Sequence, residues 1–321
     1  MPELPDVDVY VEHIAKRTVG QPLEKVRLAS PFVLRTADPP IATAQGRVVE
    51  KVSRVGKRIV LTFAAKKGEE RLHLVIHLMV AGRFRWKPPA APIPGKLGLA
   101  AFDFPTGTLI LTEASTKKRA SIHLVRDAGL EALDPGGLEP LTATPKTFGE
   151  RLRSENHTLK RALTDPHLFS GVGNAYSDEI LHHAQMSPVK LTSRLTDEEI
   201  EKLLDATKKV LVEWTDRLRK EAGEFPEGVT AFRPEMAVHG KYGKPCPVCG
   251  KPVQRIRYAD NESNYCPTCQ TEGKLLADRS LSRLMKGDWP KTLEELEAKK
   301  ASSAIGPKPA AVSGPSKPRR R

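Results

Sequence analysis

All four cysteines of this 321-residue chain fall between positions 246 and 269, as two Cys-x-x-Cys pairs, Cys246/Cys249 and Cys266/Cys269, with 16 residues between them. Pairs at this separation close on one metal ion rather than on disulfides, and four thiolates select zinc. Gly250, directly after the first pair, permits the tight turn that wraps sulfur round the ion. Sulfur takes every tetrahedral position, so the single zinc is structural and leaves no open site for catalysis. The pattern predicts a small ribbon over residues 241–270. Between the pairs, Arg255 and Arg257 are two apart and share a strand face if the segment is a β-hairpin. That face is either a solvated edge or a phosphate contact.

Upstream, the periodicity divides the chain. Val7, Tyr10, Val11 and Ile14 recur at helical spacing from Pro5 to about Arg17, closed by Gly20. Short strands follow, over 23–29, 47–54, 58–63, 71–78, 82–86, 100–104, 109–111 and 121–124. The turn-rich punctuation between them predicts a β-sandwich or barrel-like domain over 1–133, with 88–95 as a mobile proline-rich loop. Residues 134–147, starting Asp134-Pro135-Gly136-Gly137, read as a hinge. Helical periods occupy 148–221. Thr196 and Glu199 make a capping box for a helix that buries Ile200, Leu203, Leu204, Val210, Leu211, Trp214 and Leu218. The segment 223–240 is loop-like and completes a helical domain over 148–240. Beyond the ribbon, an extension over 271–300 carries predicted helices at 274–285 and 292–300. A disordered basic tail, 301–321, ends the chain.

A net charge of +13 and a pI near 9.6 point to a polyanionic partner, nucleic acid first, although a ribosomal or membrane-surface protein shares that balance. No apolar run is long enough to span a bilayer, and Glu3, Asp6 and Asp8 stand where a signal peptide needs positive charge. The expected location is the cytoplasm, at the nucleoid if the source is bacterial.

The amino terminus has its own chemistry. Removal of Met1 would leave Pro2 as a free secondary amine, with an ordinary pKa of about 8 against about 10.4 for lysine. Such an amine can attack an aldehyde-like sugar carbon and form an iminium ion that keeps its charge. Glu3 adjoins it as a proton-transfer group. A second feature, Gly171-Val172-Gly173-Asn174, precedes a helical run. It reads either as a one-phosphate cradle of backbone N–H groups or as a helix cap that needs glycine geometry. Lys57 follows Gly56 in a turn, where a lysine is ordinarily solvated.

Together Pro2-Glu3-Leu4-Pro5, Gly56-Lys57, His77-Leu78, Gly171-Val172-Gly173-Asn174-Ala175-Tyr176 and Lys241-Tyr242-Gly243-Lys244-Pro245-Cys246 with its four-cysteine pattern resemble the formamidopyrimidine-DNA glycosylase and endonuclease VIII family, over roughly 1–270. Pro-Glu-Leu-Pro looks closer to the formamidopyrimidine branch. The resemblance implies a multi-domain α+β fold: an N-terminal β-sandwich with flanking helices, a helix–two-turn–helix domain and a zinc ribbon, with DNA in the cleft between them. It implies a monomer that binds damaged DNA, with no membrane partner. It further implies a bifunctional glycosylase and abasic-site lyase, in which Pro2 attacks C1′, Glu3 shuttles protons and β- and δ-eliminations cut the strand. Lys57 joins the catalytic set, and DNA contacts fall to Lys57, Lys160, Gly173, Asn174, Arg255, Arg257 and Asn261.

Three stretches depart from the family. Asn261 stands where the family clamps phosphate with arginine. The stretches 77–82 and 112–119 hold Val80 at the expected methionine position, beside Met79, and no aromatic wedge. The loop 223–240 is short for a cover over a damaged purine. Asn261 and the missing wedge favour a competing reading, a damage-binding paralogue that does not excise bases; intact Pro2, Glu3 and Lys57 argue against it. A zinc-ribbon transcription or topology factor would leave the amino terminus unexplained.

Overall fold

The computed structural model of the chain describes residues 1–66, 68–230, 232–258, 261–277 and 290–304. Helix α1, Leu4–Thr18, opens the chain with Pro5 in its first turn, acid at its start and Lys16 and Arg17 in its last turn. Eight strands follow: β1 (Lys25–Leu28), β2 (Val49–Val55), β3 (Arg58–Phe63), β4 (Leu72–His77), β5 (Gly82–Lys87), β6 (Gly98–Phe104), β7 (Gly107–Glu113) and β8 (Ser121–Val125). They form two four-stranded sheets, ordered β1-β6-β7-β5 and β2-β3-β4-β8. Every pairing is antiparallel. All eight predicted strands are present, with ends shifted by up to two residues. The core between the sheets holds Ile59, Leu61, Phe63, Leu74, Ile76, Phe84, Phe102 and Leu111, and α1 seals it with Val7, Tyr10 and Ile14.

Helix α2, Asp127–Leu133, follows β8 where the sequence carried no helical prediction. None of its residues is fully buried, and only Leu130 and Leu133 pack against Val60, Val75 and Val125, a stripe too short to be read as a helical period. The helical part holds α3 (Pro145–Arg153), α4 (Leu159–Thr164), α5 (Asn174–His183) and α6 (Asp197–Glu221). The capping box of α6 forms as predicted, with Thr196 N–H donating to Glu199 Oε2 at 3.1 Å and Glu199 N–H donating to Thr196 Oγ1 at 3.3 Å. Its predicted inner face is buried throughout. A second core gathers Phe148, Phe169, Tyr176, Ile180, Leu203 and Leu211, together with Leu4 from α1.

The ribbon is a hairpin of β9 (Gln254–Tyr258) and β10 (Asn261–Tyr265), followed by α7 (Pro267–Thr271). Lys274 pairs with Thr292 in an isolated bridge instead of starting a helix, and the rest of the helix predicted to 285 falls largely outside the described residues. Helix α8, Leu293–Ala304, matches the second predicted extension helix, and most of the tail, 305–321, lies outside the described residues. Among the described residues no helix is long and apolar enough to cross a membrane.

Candidate active site and nucleic-acid interface

Glu3 caps α1 and is turned toward a different helix. Its own N–H donates to Asp6 Oδ2 at 3.0 Å, while its carboxylate lies on the first turn of α5. There Oε1 accepts from Ala175 N–H at 2.9 Å, and Oε2 accepts from Gly173 N–H at 2.8 Å and Tyr176 N–H at 3.2 Å. First-turn amides have no partner within their helix and sit at the positive end of its dipole, so a carboxylate is stabilised there. Both glycines are required by this approach. Gly171 has φ +78° and lends its carbonyl to Leu4 N–H at 2.9 Å; a Cβ on Gly173 would stand 2.4 Å from Glu3 Cδ. The two readings of this turn therefore merge. It is a glycine-dependent cap and an anion cradle, and the anion is supplied by the chain itself.

Pro2 and Glu3 are buried. Burial pulls the α-amine of Met1 below its ordinary pKa; Glu3 and Asp6 oppose this, and Arg83 and Lys57 reinforce it. Lys57, in the β2–β3 turn, is likewise lowered by burial, with Glu3 acting against it. His77 pairs in register with Arg58 and is pushed down to about 4, first by burial and then by Arg58 and Lys57. Asp6 is pushed up to about 6 by burial, although Arg233 lies 3.4 Å away. Asp6 and Arg233 also face a cavity of about 270 Å³ walled by Val9, Leu218, Phe225 and Val229, and Arg233 Nε has no hydrogen-bond partner among the described residues. Arg83 ties β5 to this loop through a 2.6 Å bond to the carbonyl of Val229.

Next along α5 is a buried polar hub. Asp178 accepts from Lys160 Nζ at 2.5 Å and Ser263 Oγ at 3.1 Å on one oxygen. On the other it meets His239 Nδ1 at 2.8 Å and Asn264 Nδ2 at 3.3 Å. Glu179 accepts the N–H groups of Ala237, Val238 and His239. Asn174 Nδ2 donates to the carbonyl of Glu262 at 3.0 Å. One turn of helix thus carries the Glu3 carboxylate on its first amides and the ribbon hairpin on its next residues. Lys160 faces this hub: its three donors go to Asp178, Ser177 Oγ and the carbonyl of Asn174. Gly173 likewise gives its amide to Glu3.

Of the hairpin residues, Arg255 and Arg257 share a face, with Ile256 buried between them. The Arg255 guanidinium stacks 4.2 Å over Tyr242 and reaches Glu262 at 3.3 Å; Arg257 is exposed. Asn261 opens β10, but its side chain lies outside the described residues.

The four cysteine sulfurs lie within 4.8 Å of one another, with Cys246–Cys269 at 3.9 Å and Cys249–Cys266 at 3.4 Å. A tetrahedron with Zn–S bonds of about 2.3 Å has edges of about 3.8 Å, so the cluster fits one zinc ion. The shorter of those two contacts is far beyond a disulfide bond of about 2.05 Å. His182 Nε2 approaches Cys246 Sγ at 3.2 Å, an outer partner that orients the ligand.

Sequence reasoning had not singled out Asp178, Glu179, His239, Arg83 or Arg233. The available signal was two adjacent acids in a short helix flanked by Ala175, Tyr176, Ile180 and Leu181, where the packing period leaves no solvent face for both.

Three family descriptions match the chain in order. These are the formamidopyrimidine-DNA glycosylase N-terminal domain over residues 1–120, the H2TH domain of the same enzymes over 136–218, and the zinc finger found in FPG and IleRS over 243–271. The formamidopyrimidine-DNA glycosylase of Symbiobacterium thermophilum is 32% identical over 295 residues, covering 87% of this chain and 93% of that protein. That of Thermus thermophilus is 33% identical over 283 residues, covering 85% and 100%. Among solved structures, the Lactococcus lactis Fpg in complex with abasic-site DNA superposes with a TM-score of 0.72 at 26% identity, covering 84% of this chain and 99% of that one. The MutM (Fpg) protein of Thermus thermophilus gives 0.71 at 30% identity, covering 84% and 98%.

Proposed function

The chain belongs to the formamidopyrimidine-DNA glycosylase family, and on that premise we propose that it is a base-excision DNA glycosylase that also cuts the strand at abasic sites. One observation carries the reading. The buried carboxylate of Glu3 is locked on the α5 amides two residues from the chain's leading nitrogen, which also feels the charges of Arg83 and Lys57. Pro2 is buried, and burial already lowers the pKa of the Met1 amine beside it against the pull of Glu3; once Met1 is removed, the same burial favours the neutral, nucleophilic form of the Pro2 amine.

The reaction balances as follows. The nitrogen lone pair forms a bond to C1′ while the bond from C1′ to the damaged base breaks, and the base leaves with that electron pair and takes up a proton. Opening of the sugar ring at O4′ and loss of the amine proton give an iminium ion, with Glu3 exchanging the protons. The positive nitrogen acidifies C2′, so removal of a proton there expels the 3′ phosphate. A second elimination expels the 5′ phosphate, and hydrolysis frees Pro2. Lys57 and Asn174 hold backbone phosphates around the lesion, and Arg255 and Arg257 bring positive charge to the same strand. Lys160 and Gly173 act indirectly, through Asp178 and Glu3. The protein works as a monomer on damaged DNA, and the zinc holds the hairpin in shape.

Borohydride reduction on a duplex with one abasic site tests this. Correctly processed wild-type protein should give a covalent protein–DNA adduct, and Pro2→Gly should give little. Absence of an adduct from protein shown by mass spectrometry to start at Pro2 would end the lyase reading.

A further inference from the structure

Aromatic side chains are scarce in this chain, yet Phe32 is 81% exposed, the most exposed large apolar side chain among the described residues. It is firmly mounted. It sits in the 3-10 turn Pro31–Val33, whose two ends are tied to opposite sheets. Before the turn, the N–H groups of Ala29 and Ser30 donate to the carbonyl of Leu99 at 2.9 and 3.3 Å. After it, Val33 is buried, Leu34 bridges to Ile122, Arg35 N–H donates to the Ile122 carbonyl at 2.8 Å, and Thr36 Oγ1 accepts from Leu124 N–H at 2.9 Å. An anchored aromatic ring left in water calls for a partner.

Its place in the fold names the partner. Ile122 lies at the start of β8, directly after the loop 114–120, whose Lys117, Lys118 and Arg119 are exposed. Ser121 pairs with His77, and His77 with Arg58, so Lys57 and the turn Leu78–Gly82 emerge at the same end of the sandwich. Gly82 pairs with Glu113, whose N–H donates to the carbonyl of Leu97 at 2.8 Å, bringing residues 97–99 to that end too. Val80, 57% exposed beyond a Met79 held at φ +52°, and Leu97, 44% exposed, lie there with Phe32. Apolar projections thus share one end of the molecule with a set of cations. An exposed aromatic face among cations suits a nucleobase with its flanking phosphates. Extrusion of one nucleotide from a duplex strips its flanking bases of stacking on one side and leaves its pairing partner without hydrogen-bond partners.

We infer that Phe32 is a stacking platform for a nucleobase uncovered when the damaged nucleotide leaves the duplex. The inference rests on the DNA-repair reading above and adds a residue that decides which DNA is held. Stacking on an exposed ring is sequence-tolerant, so the contact distinguishes interrupted from intact duplex without reading the base.

Phe32→Trp places a reporter at the platform, measured against wild-type protein for the indoles at positions 86, 214 and 289. Saturation with a duplex carrying a tetrahydrofuran abasic analogue should quench most of the added emission, and an undamaged duplex should leave it largely intact. Phe32→Ala should weaken binding to the abasic duplex roughly 5- to 100-fold, in line with the loss of one stacked base. Its melting temperature should match wild type, because the ring is exposed. Added emission that survives saturation, equal quenching by undamaged duplex, or wild-type affinity in Phe32→Ala would each overturn the inference. Borohydride trapping by the wild type in a duplex of the same sequence that carries a true abasic site, with its C1′ aldehyde, separates the cases. An adduct without quenching removes Phe32 and leaves the glycosylase reading standing, whereas quenching without an adduct does the reverse.

Discussion

Gly173→Ala is the sharpest probe of how the Glu3 carboxylate, the proposed proton shuttle, is held. The added methyl would stand 2.4 Å from Glu3 Cδ and 2.6 Å from Oε1. Ordinary contact begins near 3.4 Å, so the carboxylate or the helix start must yield by about 1 Å. Glu3 cannot move that far and keep its bonds to the N–H groups of Gly173, Ala175 and Tyr176. Overpacking of a tight interior costs about 1–3 kcal/mol, and losing a hydrogen bond to a charged group about 1.5–3 kcal/mol. A loss of about 3 kcal/mol in stability is expected, read as a melting temperature lower by roughly 6–12 °C. The chemical step should suffer more than binding. A misplacement of about 1 Å at a reacting group costs on the order of 100-fold in rate. Single-turnover strand cleavage on an abasic duplex should therefore slow by about that factor, while the Kd for a non-cleavable analogue changes less than about threefold. A variant that cleaves at the wild-type rate and melts at the wild-type temperature would show that Glu3 does not depend on this turn.

Asp178→Ala should remove the partner of Lys160 and His239 at once and cost about 3–5 kcal/mol, since one cation is left buried without its counter-charge. Faster zinc release to a chromogenic chelator should accompany the lower melting temperature, and unchanged release would break the link to the ribbon. Asp6 titrates near 6 in the folded chain against an ordinary 3.8, so the fold binds its proton more tightly than the unfolded chain does. Stability from this group is therefore present below 3.8 and lost as pH rises through 6, by up to about 3 kcal/mol. Relative to wild type, Asp6→Asn should gain stability between pH 4.5 and 7.5 in chemical denaturation, and a pH-independent difference would refute the shift. Cys249→Ser should lower zinc content and weaken binding to damaged duplex, because Arg255 and Arg257 lose their fixed hairpin. Unaltered metal content and affinity would contradict that.

The eight strands were legible because each alternates or runs apolar between turn residues, and α6 was legible through its capping box and stripe. Helix α2 was not, since it is short and only Leu130 and Leu133 lean on the sheet, too brief a trace to show a period. At the site, Pro2, Glu3 and the cysteine ribbon could be read locally. The meaning of Gly171-Val172-Gly173 could not: its anion lies some 170 residues upstream, and only folding brings Glu3 onto those amides. Asp178 was hidden for the same reason, as its partners Lys160, His239, Ser263 and Asn264 come from three separate stretches.

Helix α1 contributes Leu4 to one core and Val7, Tyr10 and Ile14 to the other. Neither half can then be cut out as a self-sufficient fragment, because each would carry off or forfeit a wall belonging to its neighbour. A gene split near residue 135 should yield two pieces that are poorly soluble apart and regain activity only when co-expressed. The proposed active site is in this sense indivisible, built on a shared beam rather than bolted onto either lobe.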